Sequence, residues 1–253
     1  MAVPLNSTTE SRPVPPLSER EVLVWVCDLL RIERERPGLA IQLSPAERIR
    51  ADRFAFDRDR ERFILSHGLL RVILSRYLAE SPDGIVFTTG PHGKPAVRPR
   101  AESTSPIEFS LSHSGDYALV AVANRRAVGV DVEVCRPDVD ALALAQRFFA
   151  SPEAESIAQA QGPERQRLFY RYWTGKEAYL KGRGIGLSLG LNRFQLLFDD
   201  GLARAQVRDA DSGHLDKNWS VLSFSVDEQV AGAVAFEGDD CHIRLCTATA
   251  LFA

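Results

Sequence analysis

The chain has 253 residues, with 31 lysines and arginines against 34 aspartates and glutamates, a formal net charge of −3. At 45% hydrophobic it can bury a core of its own, and its near-balanced charge excludes a protein held on nucleic acid or anionic membrane by bulk electrostatics. No apolar run is long enough to span a bilayer, and the polar, proline-bearing segment 1–17 reads as a disordered leader on a cytoplasmic protein.

Residues 21–29 are valine-rich and bounded by charge, which predicts a strand. Ser44, Pro45 and Glu47 then form a helix start: N-cap, first-turn proline and the reciprocal glutamate of a capping box. Helical spacing runs on to about Leu78, with a break near Asp57. Residues 85–89 restart a strand, and T-G-P-H-G-K-P at 89–95 reads as a loop because its glycines and prolines break any ladder. Strands are expected at 107–111, 117–123 and 128–134, helices from 139 to 180 ending at Gly182, Gly184 and Gly186, and strands at 194–198, 219–226, 230–236 and 242–249. Strands and helices do not alternate regularly, so the expected class is α+β, with two halves meeting near 124–128, rather than a doubly wound sheet. Of the four cysteines only Cys241 and Cys246 lie close together, without the second ligand pair that zinc needs, and all four read as small buried hydrophobes.

Four segments carry chemistry. In G-V-D-V-E (129–133), strand alternation puts Asp131 and Glu133 on one face and Val130 and Val132 on the other. Paired carboxylates are hard oxygen ligands for magnesium, and equally an ordinary solvated face. In W-T-G-K-E-A-Y-L-K (173–181), Glu177 and Lys181 share a helix face beside a glycine-rich stop where a phosphate could approach, or form a plain surface ion pair. F-S-L-S-H-S (109–114) gathers three hydroxyls and an imidazole near a turn. Ser112 and His113 point to opposite faces and no G-x-S-x-G elbow exists, so a serine hydrolase is disfavoured. The fourth is an arginine-rich stretch, 48–76, interleaved with acids; it reads as a salt-bridged face from which some guanidinia could grip phosphate. Only four lysines occur among the basic residues, and Lys94, Lys176 and Lys181 all fall in these segments or in G-K-P, which hints at a need for a compact ammonium. No phosphate-binding P-loop or dinucleotide fingerprint is present. The inventory suits a magnesium-dependent reaction at a pyrophosphate or phosphodiester.

G-V-D-V-E followed some forty residues later by W-T-G-K-E-A-Y-L-K, with F-S-L-S-H-S and G-K-P (93–95) upstream, resembles the 4′-phosphopantetheinyl transferase superfamily, surfactin-synthetase type. The resemblance spans about 43–198. It implies two similar α+β halves in one chain, here 18–126 and 127–253, with the active site between them in a monomer. It implies coenzyme A as donor and an apo acyl or peptidyl carrier-protein serine as acceptor, while the charge balance and the lack of a long apolar run lead us to expect no nucleic-acid or membrane partner. Carried over by position, Asp131, Glu133 and Glu177 would hold magnesium, Lys181 would contact phosphate oxygens, and Glu177 or a water it orients would serve as base. Ser112, His113, Arg50 and Arg62 would lie at the 3′-phosphate and Gly93, Lys94 and Pro95 along the adenine. Glu47 departs from the family pattern, in which a cation can stand there. Two other classes compete. A metal-dependent nuclease would place glutamate and lysine two apart rather than four, and a non-catalytic binding module would tolerate loss of a carboxylate.

Overall fold

The computed structural model describes residues 17–78, 80–98, 107–186, 189–199 and 203–252. All but Leu17 of the expected leader lies outside the described residues. The first half opens with β1 (Glu21–Asp28), a 3₁₀ segment (Leu29–Glu35) and α1 (Arg36–Ile41), then α2 (Pro45–Ala51) and the 22-residue α3 (Asp57–Leu78). A short hairpin, β2 (Phe87–Thr89) and β3 (Pro95–Val97), precedes a long one, β4 (Ile107–Ser114) and β5 (Tyr117–Asn124). The second half repeats this order: β6 (Val128–Val134), α4 (Ala141–Phe148), α5 (Ser151–Gln159), the 22-residue α6 (Gly162–Arg183), the hairpin β7 (Phe194–Phe198) and β8 (Arg204–Asp209), then the hairpin β9 (Leu215–Asp227) and β10 (Val230–Glu237). β11 (His242–Thr247) ends the series.

Strand order makes the likeness explicit. One sheet runs β11-β1-β5-β4 and the other β6-β10-β9-β8-β7, so β1-β5-β4 and β6-β10-β9 have the same connectivity. The architecture is α+β with two similar halves, as the order of elements and the resemblance together led us to expect. β11 departs from the expected division of the chain: it pairs parallel with β1, so the end of the chain closes the first sheet. Three cores follow from the sidedness of the strands. Leu65, Leu69 and Ile73 of α3 pack on Trp25, Val120 and Val122. Phe169, Ala178 and Leu180 of α6 pack on Val221, Ala233 and Ala235. Between the sheets, Val22, Val24 and Ala121 meet Val130, Val132 and Val234. Three buried layers give helix, sheet, sheet, helix. Among the described residues no helix is long and apolar enough to cross a membrane.

The predicted helix start is present in full. Ser44 Oγ accepts from Glu47 N at 3.3 Å and Glu47 Oε2 accepts from Ser44 N at 2.8 Å. The same Glu47 oxygen accepts from Arg71 Nε at 2.7 Å, and Arg71, 1% exposed, also donates to the carbonyls of Pro82 and Ile85. Glu47 therefore neutralises a buried arginine, which accounts for an acid where a cation was the family expectation.

Candidate active site

The two sheets meet along β4 and β6, and their seam is made by side chains. Ser110, Ser112 and Ser114 share one face of β4. Ser110 Oγ accepts from Val130 N at 3.1 Å, Ser112 Oγ donates to Asp131 Oδ1 at 2.8 Å, and Ser114 Oγ donates to Glu133 Oε2 at 2.7 Å. The hydroxyls thus stand in for a backbone ladder and aim two carboxylates. Asp131 is buried at 3% exposure, while Glu133 is half-buried.

α6 reaches the same spot because glycines let it lie on β6. A Cβ added to Gly129 would fall 2.1 Å from Ala178 O and 2.2 Å from Gly182 N, both backbone atoms. Helix and strand therefore touch, and the side chains immediately preceding these two contacts, Glu177 and Lys181, lie near Asp131. Gly129→Ala is expected to destabilise the protein by about 2–4 kcal/mol, since a rigid backbone must yield. A fall in Tm of about 5–10 °C in a thermal melt would register it. Gly184 ends α6 in the left-handed region, φ 63°, as the sequence indicated.

Lys181 Nζ donates to Asp131 Oδ1 at 2.6 Å and to Ser112 Oγ at 2.9 Å. Burial pushes the Asp131 carboxyl up, against the opposing pull of Lys181 and Ser112. Glu133 is also raised, by burial first and then by Asp131 among the charges, with Ser114 opposing. Glu177 is pushed up to about 7 by burial and by the charges of Asp131 and Glu133. The three expected acids and the lysine are therefore one electrostatic cluster, short of positive charge.

His113 lies on the far side of β4 from Ser112, as alternation requires, at the end of the face that carries the buried Phe109. Desolvation and the nearby cations Lys181, Arg62 and Arg50, in that order, hold its imidazole below the ordinary range. Such crowding of cations is costly without an anion and is what an anion site requires. Arg62 is meanwhile held by Asp116, through Nε at 2.9 Å and Nη2 at 2.8 Å to Oδ1, and Arg50 lies 5.0 Å from the Phe63 ring centroid. Gly93, Lys94 and Pro95 line a cavity of about 340 Å³ together with Ser110, Glu177 and Lys181. A larger opening of about 940 Å³ lies past the end of α6, lined by Arg183 and Asp216, and holds none of the carboxylate cluster.

Ser110 and Ser114, two of the three hydroxyls of F-S-L-S-H-S, organise the site although the sequence assigned them no individual role, and Asp116, which holds Arg62, was not announced at all. Lys176, by contrast, is fully buried, pairs with Glu153 at 2.7 Å and donates to the Leu191 carbonyl at 2.9 Å. It pins α6 to α5 and to the start of β7 and takes no part in the cluster.

As the side chains stand, no group of three or more His, Cys, Asp or Glu among the described residues is closed enough to hold a metal ion. The donor chemistry nevertheless fits a hard divalent cation. Asp131 Oδ2 is buried without a hydrogen-bond partner, and Glu177 is driven toward its neutral form by burial and then by two neighbouring carboxylates.

The chain matches the model described as 4'-phosphopantetheinyl transferase, N-terminal, over residues 33–125, and that of the 4'-phosphopantetheinyl transferase superfamily over 127–235. It is 37% identical to the 4'-phosphopantetheinyl transferase HetI of Nostoc, across 89% of this chain and 93% of that protein. It is 35% identical to a putative 4'-phosphopantetheinyl transferase of Synechocystis, across 81% and 87%. Against the 4'-phosphopantetheinyl transferase Sfp of Bacillus subtilis the figures are 31%, 71% and 77%. The two matched segments fall on the two halves in order, relatives above 30% identity align along most of their length, and the chain belongs to the 4′-phosphopantetheinyl transferase superfamily.

Proposed function

We propose that the protein transfers the 4′-phosphopantetheine arm of coenzyme A to the serine of an apo acyl or peptidyl carrier protein, releasing 3′,5′-adenosine bisphosphate. The observation that carries this reading is the junction of the two halves. There, a carboxylate–lysine cluster, a cluster of cations around His113 and the cavity walled by Gly93, Lys94 and Pro95 adjoin one another. A donor with an anionic pyrophosphate, a second phosphate and a planar base needs those three environments together.

Asp131, Glu133 and Glu177 would hold magnesium, which when bound would neutralise pyrophosphate oxygens and draw charge from the phosphorus under attack. Lys181, already tethered to Asp131 and Ser112, keeps an ammonium at the point where charge grows on the bridging oxygen as the bond to β-phosphorus breaks. Glu177, with a carboxyl near 7 in the free protein, is suited to accept the proton of the incoming serine, directly or through water. The attacking oxygen gains the bond to phosphorus, its proton passes to Glu177, and the electron pair leaves on adenosine bisphosphate. Arg50, Arg62 and His113 are assigned to phosphate binding, the arginines through charge and His113 once an anion offsets the cations around it; the Ser112 hydroxyl, buried on the opposite face of β4 and engaged by Asp131 and Lys181, serves the carboxylate cluster instead.

Incubating the protein with coenzyme A, magnesium and an apo-carrier, and weighing the carrier, tests the reading. A gain equal to phosphopantetheine supports it; a carrier of unchanged mass with intact coenzyme A refutes it. His113→Ala is expected to raise KM for coenzyme A about 10- to 100-fold, the worth of a charge-assisted hydrogen bond, and to cost far less with 3′-dephospho-coenzyme A. Equal falls in turnover with both donors would remove His113 from the phosphate site.

A further inference from the structure

We infer that Lys94 is a positioning residue of the transfer reaction, its ammonium tying together the strand that carries Asp131 and Glu133 and the helix that carries Glu177 and Lys181. This extends the transferase reading and rests on it. The family expectation set residues 93–95 along the adenine. Lys94 does line that cavity, but its head is engaged by two backbone carbonyls. Nζ donates to Val128 O at 3.1 Å, at the start of β6, and to Gly182 O at 2.9 Å, at the end of α6.

Both acceptors stand beside the chemistry. Gly182 follows Lys181 directly, and Val128 precedes Gly129, the point at which α6 rests on β6. The last carbonyls of a helix have no partner within it. Gly184 N covers those of Leu180 and Lys181, and Lys94 supplies the donor for Gly182 from the other half of the molecule. A cation there also opposes the negative end of the helix dipole. Two carbonyls at about 3 Å, with Glu108 at 4.0 Å, suit a compact ammonium with three donors better than a planar fork. Burial lowers the Lys94 pKa, in keeping with a head withdrawn from water. The turn bearing Lys94 is itself closed, Gly90 N donating to Lys94 O at 2.9 Å, and its stem lies against Gly184, within 3.3 Å of where a Cβ would be. The loop that meets the coenzyme is thereby fastened to both catalytic elements.

Lys94→Met should lower kcat with coenzyme A and an apo-carrier about tenfold while moving KM less, because Lys181 and Glu177 lose their fixed place. In a Lys181→Ala background the same change should cost less than it does in the native protein, since one of the two side chains it positions is gone. Amide hydrogen exchange over residues 180–183 should quicken about tenfold in Lys94→Met without substrate present. A change confined to KM, full additivity with Lys181→Ala, or unchanged exchange at the end of α6 would each overturn the inference. Should Lys94→Met fail to fold, Lys94→Arg, which keeps the charge but not the compact head, should give the same changes in lesser degree; an arginine variant identical to the native protein also overturns it. The exchange measurement needs no coenzyme A, so it fails or succeeds independently of whether the protein transfers phosphopantetheine.

Discussion

Lys181→Ala is expected to lower turnover by about two to three orders of magnitude while leaving coenzyme A affinity within about tenfold, because a fixed cation matters most where charge develops. Its place is set by two bonds, to Asp131 and to Ser112, both anchored in the seam between β4 and β6. Arginine should be a poor replacement, since a longer, planar head cannot occupy the gap between a buried carboxylate and a buried hydroxyl. The substitution also leaves a mark independent of catalysis. Asp131 is raised by burial, and Lys181 is the largest opposing influence. A carboxyl raised in the folded state contributes its stability at low pH and loses it as pH rises through the folded pKa. Without Lys181 the folded pKa climbs further, so the Tm of the variant should fall more steeply than that of the native protein as pH rises above the ordinary carboxylate range. Parallel melting curves would show that the ammonium is not what opposes the rise of the Asp131 carboxyl. Equal losses in kcat and coenzyme A affinity would assign Lys181 to ground-state binding instead.

Much of this arrangement could be read from local pattern. The capping box at Ser44, the valine–carboxylate alternation of β6 and the glycine stop of α6 each depend on residues within a few positions of one another, and each is present. What could not be read depends on distant partners. β11 is an ordinary strand in sequence, and nothing in it says that its neighbour is β1, more than two hundred residues away. β8 was missed because only Ala205 and Val207 of its six residues are buried, too few for an apolar signal. The lysines are the sharpest case. Sparing use of lysine suggested compact ammonium sites, and the structure shows three: Lys176 in a buried pair with Glu153, Lys94 between two carbonyls, and Lys181 on Asp131. Residue type was informative, whereas the partner of each head group was set by long-range packing. The serines tell the same story. Their two-residue spacing is visible, but that 112 answers 131 and 114 answers 133 follows only once two edge strands are laid side by side.

Glu177→Gln should make the protein more stable and nearly inactive. The carboxyl stands near 7 rather than its ordinary 4.5, raised by burial, then by Asp131 and Glu133, with only Lys181 opposing among the named influences. The stability this group contributes is complete below about pH 4.5 and is lost as pH rises through about 7. At pH 8 the native protein therefore carries an ionised, repelled carboxylate that glutamine removes. Because the side chain is only partly buried, solvent screens much of the effect, and a gain of about 1–2 kcal/mol at pH 8 is the reasonable size, a Tm higher by about 2–6 °C. At pH 4.5 both proteins hold a neutral group and should melt together. Magnesium should raise the Tm of the native protein at pH 8 and do so less for the variant, since a ligand of the folded state stabilises in proportion to its affinity. Turnover should fall by about two to four orders of magnitude, as befits loss of the group proposed to take the serine proton. The pairing of the two results is the test: a stabilised, inactive variant is a site whose charges are arranged for a cation and a reaction rather than for the fold. A variant that is destabilised at pH 8, or that gains as much from magnesium as the native protein, would mean that Glu177 is held by packing alone and that the cation, if one binds, is held by other residues.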